Sequence, residues 1–498
     1  MQFNSYSFMA FFPVVLAIYF IIPKKARKLW LLAASYYFYM SWNARYIILI
    51  VGSTLITYFS ALAFSKLEGR EGAAGKKRLV MILCCVSNLF ILALFKYGNF
   101  VIDSINGVLS GIGLSVIDHR FDFLLPVGIS FYTFQALGYM IDVYRGDIKA
   151  EKNFINYALF VSFFPQLVAG PIERSKNLLG QIEDIVNKNL WEARRVASGA
   201  ILMIWGLFMK MVIADRVAIL VDQVFDNYRM YGGIELVAAA IGFALQIYCD
   251  FGSYSMIAIG SARILGINLM ENFKAPYLSV SIRDFWSRWH ISLSTWFRDY
   301  LYIPLGGNRK GKARKYLNLL IVFLVSGLWH GAEWSFVAWG GIHGIYQILE
   351  DVLFPFKKRV VERFGINTEC FSHRLIKRLW TFVLVTFAWI FFRANTIKDA
   401  LRFIYRIGLR WDPWNLFNES LYQLGLDRTE MNILIVSVVI LLLVDILRQR
   451  KGQMPDTFLF RQNIWFEWAV IIGMILMILT YGKYGPDFDP KQFIYFQF

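Results

Sequence analysis

Apolar residues in this chain run in long blocks, and the loops that close alternate blocks are basic. Residues 6–22, 29–42, 46–64 and 79–94 each approach the ~20 residues that cross a bilayer as a helix. Lys24, Lys25, Arg27 and Lys28 close the first block, Arg70, Lys76, Lys77 and Arg78 the third, and Arg145, Lys149 and Lys152 a further block at 123–144. Basic ends of this kind stay on the cytoplasmic side, which sets an alternating topology. The weakly apolar stretch 99–122 is expected to lie along the outer interface. Residues 154–168 have cytoplasmic-looking flanks at both ends, so they read as a re-entrant segment and not a full crossing. Non-helical backbone at that depth requires burial in protein or a wet cavity.

Beyond it, 197–221 is expected to go out and 234–265 to return. The largest insertion, 268–315, carries Lys274, Arg283, Arg288, Arg298, Arg309, Lys310, Lys312, Arg314 and Lys315, which places it on the cytoplasmic side. Within it Trp286, His290, Leu293, Phe297 and Tyr300 recur at helical spacing, widened by Trp289 and Trp296, with Ser287, Arg288 and Asp299 opposite. This predicts one amphipathic helix against or partly inside the membrane. Blocks 316–329 and 334–353 flank His330-Gly331-Ala332-Glu333 and form a hairpin, because basic residues lie beyond both ends. Blocks 379–392, 431–446 and 464–480 cross again, with 395–430 as an outer amphipathic section and 481–498 outside. The expectation is about ten to twelve spans at ~20 residues each, in a single integral unit over 1–498 without internal repeats.

Composition sharpens the class. The chain of 498 residues is 57% hydrophobic and 17% charged, against roughly 45–50% and about 25% in soluble domains. A soluble enzyme, a disulfide scaffold and a disordered chain are thereby excluded. Lys and Arg number 52 against 35 Asp and Glu, a formal charge of +17. That excess sits in short loops between apolar blocks, so its partner is the lipid bilayer and not nucleic acid. Residues 1–5 carry no basic residue and no small-residue cleavage site follows the first block, which therefore reads as a first span and not a cleavable signal. The expected location is the plasma or inner membrane, as a multi-pass protein. Four cysteines give no disulfide framework, and Cys84, Cys85 and Cys249 lie in apolar runs as buried hydrophobes. No cysteine–histidine pattern calls for a metal.

Chemistry narrows to the histidines, of which there are five. His119 and His373 lie among charged loop residues and read as solvated. His343, in Trp339-Gly340-Gly341-Ile342-His343-Gly344, suits helix packing or a buried hydrogen bond at least as well as chemistry. His330 follows Ser326-Gly327-Leu328-Trp329, a bulky indole among small residues that permit close approach. An ionisable group inside a membrane is costly and marks a pathway or reaction site by default, and a neutral imidazole accepts a proton near physiological pH. A satisfied structural histidine is the competing reading. His290, in Trp286-Ser287-Arg288-Trp289-His290, is the second candidate for an acid/base or orienting pair, against a plain interfacial histidine. Gly306-Gly307-Asn308-Arg309-Lys310 suits either phosphates or a solvated turn. Asp250 is expected to be paired near a span end. Cys249, a conceivable acyl acceptor, lacks any environment that lowers a thiol pKa. The GxSxG, P-loop and HExxH patterns are absent.

Several stretches together resemble the membrane-bound O-acyltransferase family, in its bacterial branch of alginate O-acetylation membrane subunits. They are Leu125-Pro126-Val127-Gly128 through Gln135, Phe163-Phe164-Pro165-Gln166 through Ile172, residues 283–307, Ser326 through Trp334, and the terminal Phe493-Ile494-Tyr495-Phe496-Gln497-Phe498. The resemblance implies an all-α polytopic fold, a ring of helices around a thinned centre where a cytoplasmic and an outer funnel meet. It implies that His330 is the essential histidine and His290 the second conserved polar position, with Trp286, Trp289, Arg288, Trp329, Asn308 and Arg309 as candidate substrate contacts. One motif departs: where relatives read Asp-Phe-Ser-Gly-Tyr-Ser-Asp, this chain has Asp250-Phe251-Gly252-Ser253-Tyr254-Ser255-Met256.

The expected activity is acyl transfer, acetyl first, from a cytosolic thioester towards an extracytoplasmic cell-envelope polysaccharide. Acetyl-CoA or another acyl thioester is the donor substrate, with no bound cofactor. In this scheme His330 is the general base, His290 orients or polarises the acyl carbonyl, and the basic residues of 309–315 attract the donor's negative charges. The resemblance also implies an extracytoplasmic hydrolase-like partner. D-alanyl transfer from an acyl carrier protein towards teichoic acid is the alternative within the class. A transporter or flippase is the alternative outside it, disfavoured because repeated halves are not visible.

Overall fold

The computed structural model describes residues 1–122, 125–484 and 494, and among them every regular element is helical. The chain divides into two compact units, Met1–Ala200 with Ala258–Met270, and Ile201–Ile257 with Glu271–Phe498. Seven helical stretches are long and apolar enough to cross a membrane: Ala44–Lys66, Ala73–Gly111, Ala193–Asp226, Gly233–Ile264, Phe371–Arg393, Arg428–Lys451 and Ile464–Tyr481. This is a multi-pass membrane protein.

The first unit opens with α1 (Tyr6–Ile21), α2 (Arg27–Met40), α3 (Ile47–Lys66) and α4 (Ala73–Gly111). It continues with α5 (Ile129–Arg145), α6 (Phe154–Ser162), α7 (Phe164–Leu167) and α8 (Ser175–Glu183). The seven stretches fall short of the expected ten to twelve spans; α1 and α2, with 16 and 14 residues, are among the helices too short to count by length. α4 runs for 39 residues, past its apolar block and into the first half of the weakly apolar stretch 99–122. No proline interrupts it, and it ends where Gly113 turns left-handed (φ 76°) and Leu114 N–H reaches back to the Leu109 carbonyl at 2.9 Å. The predicted block 123–144 begins on two residues outside the described ones.

The segment read as re-entrant is two short helices, nine and four residues long, buried from Asn156 onward. Neither could span a bilayer. Its backbone is held from within the unit: Gln135 Nε2 donates to the Phe160 carbonyl at 2.6 Å, and Phe164 N–H donates to Ser35 Oγ at 3.1 Å. Gly128 starts α5 with φ 75°, and a Cβ there would meet the Leu167 carbonyl at 2.7 Å, so two motifs of the sequence are one packing contact.

The second unit contains the continuation of α9 (Ala193–Leu207) through a π-helical stretch, Phe208–Ala214, into α10 (Asp215–Asp226), and most of α11 (Gly233–Ile264). Gly206 lets these helices touch, since a Cβ there would lie 2.8 Å from the Ser253 carbonyl. The π-helical stretch carries Lys210, whose ammonium lies 2.5 Å from Asp250 Oδ1 and 2.9 Å from Asp215 Oδ1. Asp250 is therefore paired, as its position in an apolar block requires, although mid-helix and not near an end. Its other oxygen accepts the Ile494 N–H at 2.7 Å. The rest of the C-terminal motif lies outside the described residues.

Next come α12 (Ile282–Arg288), α13 (Ile291–Phe297), α14 (Gly311–His330) and α15 (Trp334–Arg363). They are followed by α16 (Phe371–Arg393), α17 (Ile397–Leu409), α18 (Arg428–Lys451), α19 (Pro455–Leu459) and α20 (Ile464–Tyr481). The expected hairpin is α14 and α15. Both are long enough to cross, but Arg314 and Lys315 in one and the glycines, His343 and Gln347 in the other dilute their apolar character.

In the first unit's loop before α8, Glu173 is 2% exposed, accepts Asn177 Nδ2 at 2.7 Å and accepts the Met270 N–H. Burial pushes its carboxyl up to about 7 from an ordinary 4.5. Between those values the folded state holds a proton that the unfolded state has lost, so stability falls as pH rises through the window. In detergent, the Tm of Glu173→Gln relative to wild type is expected to rise between pH 4.5 and pH 8. A gap that does not change with pH would contradict this.

Candidate active site

The site starts from the packing of α14 on α15. A Cβ on Gly327 would lie 2.2 Å from the Phe336 carbonyl, and one on Gly340 would lie 2.2 Å from the Phe323 carbonyl. The two backbones touch at these glycines, which no other residue permits. The close approach ends at His330, the last residue of α14, which is 3% exposed. Its ring is boxed by Trp329 (centroids 4.9 Å apart), Trp339 on α15 (5.0 Å) and Phe392 on α16 (5.4 Å), all steeply inclined to it.

His290 reaches the same place from the 268–315 insertion. The single amphipathic helix expected there is broken: α12 stops at Arg288 and α13 starts at Ile291. At the break His290 adopts φ 43°, ψ 53°. It is one of two non-glycine residues with positive φ among those described. An unbranched polar residue tolerates this better than a β-branched one, and strain of this kind persists only where the surroundings impose it. Here Asn272 imposes it, its carbonyl accepting Ile291 N–H at 3.0 Å and its Oδ1 accepting Ser292 N–H at 3.2 Å. The fully buried His290 ring lies 4.6 Å from Phe251, 5.9 Å from Trp329 and 6.4 Å from His330. His290 belongs to none of the seven spans, and burial holds its imidazole down at about 3, so it is neutral at physiological pH.

The other expected contacts divide. Trp286, Trp289 and Trp329 join the cluster: Trp286 donates from Nε1 to His343 Nδ1 at 3.2 Å, and Trp289 packs on Phe273 (5.0 Å), Phe285 (5.4 Å) and Trp389 (5.1 Å). Arg288 is half-buried and pairs with Asp284 at 2.7 Å. Asn308 and Arg309 are exposed on the loop before α14, about 30 Å from His330 along that helix at 1.5 Å per residue. They do not meet the histidines. His119 is exposed and His373 half-exposed. Cys249 is buried without a basic neighbour that would activate it, and Cys84 is buried too. Among the described residues no cluster of three His, Cys, Asp or Glu could hold a metal ion.

Sequence reasoning missed Trp339, Phe392 and Phe251, which wall the histidines, and Trp389, which packs behind them on Trp289 and Trp339. Trp339 had a signal, because it stands before a glycine pair and four residues from His343 in a motif already noted. Phe392 and Trp389 lie in an ordinary apolar helix and had none. The motifs, however, are those of known proteins. The model of the membrane-bound O-acyltransferase family matches residues 147–394, which hold both histidines. A probable alginate O-acetylase of Pseudomonas putida is 36% identical over the whole length of both chains.

The chain belongs to the membrane-bound O-acyltransferase family.

A peptidoglycan O-acetyltransferase of Helicobacter pylori is 36% identical over 79% of this chain and 77% of its own. A teichoic acid D-alanyltransferase of Streptococcus thermophilus is 31% identical over 47% of this chain and 59% of its own. This membrane O-acyltransferase is thus an enzyme that transfers acyl groups to hydroxyls.

The hairpin contact makes a matched prediction. Gly327→Ala and Gly340→Ala force backbone apart and are expected to cost about 1–3 kcal/mol or more, with activity lost as His330 is displaced. Gly341→Ala meets only Leu324 Cδ2 at 3.5 Å and should leave Tm and activity near wild type. Equal behaviour of the three variants in thermal melts and acyl transfer would refute the contact.

Proposed function

We propose that this O-acyltransferase moves acetyl groups from a cytosolic thioester towards an extracytoplasmic cell-envelope polysaccharide, with His330 as general base. The observation that carries the reading is the buried convergence of His330 and His290, 6.4 Å apart, from two separate segments of one unit. Two imidazoles in an aromatic enclosure are costly to the fold unless used, and they suit proton transfer at an ester-forming centre. The full-length likeness to an alginate O-acetylase and the near-full likeness to a peptidoglycan O-acetyltransferase support an acetyl group and an envelope glycan.

The chemistry follows. An acceptor hydroxyl oxygen attacks the thioester carbonyl carbon while His330 takes its proton. The C–O bond forms, the C–S bond breaks, and the proton passes from His330 to the departing thiolate. His290, held neutral by burial, orients or polarises the acyl carbonyl without bringing a charge that would need a partner. Trp289 and Trp329 exclude water from the thioester. Arg309 and its basic neighbours, exposed at the start of α14, attract the donor's phosphates, as acetyl-CoA or an acidic carrier protein would require.

In this reading the whole chain acts as one unit. Crossings by α1, α2, α5, α14 and α15 beside the seven apolar spans bring the total to the expected ten to twelve, and the cytoplasmic funnel delivers the thioester. An extracytoplasmic hydrolase-like partner completes transfer to the polymer. D-alanyl transfer from a carrier protein has the support of a likeness over only about half of each chain, so acetyl transfer is preferred.

His330→Ala is expected to lower alkali-released acetate from the cell envelope by 10²–10⁴-fold, with the protein still present in membranes at wild-type amount. Unchanged acetate would remove His330 as the base.

A further inference from the structure

His343 has no part in the scheme above, yet its hydrogen bonding is unusual. The indole N–H of Trp286 donates to its Nδ1 at 3.2 Å. A ring nitrogen that accepts cannot carry a proton, so the His343 proton is on Nε2. That Nε2–H is buried completely and finds no acceptor among the described residues. Rings surround it: Trp286 at 5.0 Å, Trp339 at 5.1 Å, Tyr346 at 6.0 Å, Phe323 and Phe285 at 6.3 Å.

Trp339 repeats the pattern one helical turn earlier. It too is completely buried, and its indole N–H likewise has no acceptor among the described residues. Its ring stands between the two histidines, 5.0 Å from His330 and 5.1 Å from His343. Residues four apart share a helix face, so the two donors form a short row on α15 that begins beside His330. Buried donors are nearly always satisfied, and leaving one without a partner destabilises the fold. Phenylalanine at both 286 and 343 would fill these positions without that cost.

We infer that His343 Nε2–H and Trp339 Nε1–H are substrate-binding donors, which take carbonyl oxygens of the acyl thioester as it lies along α15 beside His330. This rests on the reading of the His330 centre as the site of acyl transfer. Both groups can only donate in the tautomer that Trp286 fixes, so they select an acceptor-bearing guest. The row also points the right way. Beyond His343, α15 continues to Asp351, which pairs with Lys315 at 2.7 Å and Arg283 at 3.4 Å on the basic side, where a cytosolic thioester enters.

The test uses the full-length protein in cells lacking their own copy, with the rate of envelope acetate accumulation measured beside the Tm of each purified variant. His343→Phe is expected to lower the rate about tenfold, and Trp286→Phe/His343→Phe, in which no indole N–H loses its acceptor, is expected to do so with Tm held. His343→Gln keeps an N–H donor and should recover part of the rate. Trp286→Phe should lower the rate in the wild-type background and add nothing in the His343→Phe background, since it acts through the tautomer. An unchanged rate in His343→Phe overturns the inference. So does a Tm of the double variant that falls in step with its rate, or independent losses from Trp286 and His343. His330→Ala in the same series separates the two claims: if it keeps the wild-type rate, the underlying reading fails, and if it is inactive while His343→Phe is normal, only this inference fails.

Discussion

Backbone contact between α14 and α15 is the constraint on which the candidate site depends. At Gly327 and Gly340 there is no room for a methyl group, and the hairpin can therefore close on itself without a layer of side chains. Closure puts Trp339 against His330 and lets Phe392 of α16 complete the box. In lipid, where burial of apolar surface does not drive helices together, such close contacts supply much of the association. The glycines that read as points of close approach in the sequence are thus the rigid part of the site.

The second half of the site is held by strain instead of by close packing. His290 sits in a left-handed conformation that costs of order 1–3 kcal/mol, imposed by the hydrogen bonds of Asn272 to both residues that follow it. A continuous helix would have relieved that cost. Breaking it swings the imidazole to 6.4 Å from His330. A different economy rules elsewhere in the unit, where Lys210 is buried between Asp215 and Asp250. Removing one partner there leaves a buried charge exposed to low dielectric, which is among the more damaging single changes a core can suffer.

Much of this was legible in the residues. Long apolar blocks and basic loops placed nearly every helix, and the Trp329-His330-Gly331 and Trp289-His290 motifs picked out the two imidazoles that the fold brings together. The break at His290 was hidden because Trp286, Leu293 and Phe297 keep helical spacing across it, and periodicity cannot register a single residue with positive φ. The length of α4 was hidden for the converse reason, since its second half is polar enough to look like a loop though nothing in it stops a helix. Asn308 and Arg309 were grouped with the tryptophans as candidate substrate contacts, although the whole of α14 separates them from His330. The hydrogen bond from Trp286 to His343 joins positions 57 residues apart, and no local pattern records it.

Whether the His330 centre handles a thioester is best decided on the purified protein in nanodiscs, by following radiolabelled acetyl-CoA in wild type and His330→Ala. The account predicts thioester consumption, or transfer of label to a co-purified partner, that depends on His330. Consumption at the same rate in both proteins would contradict it.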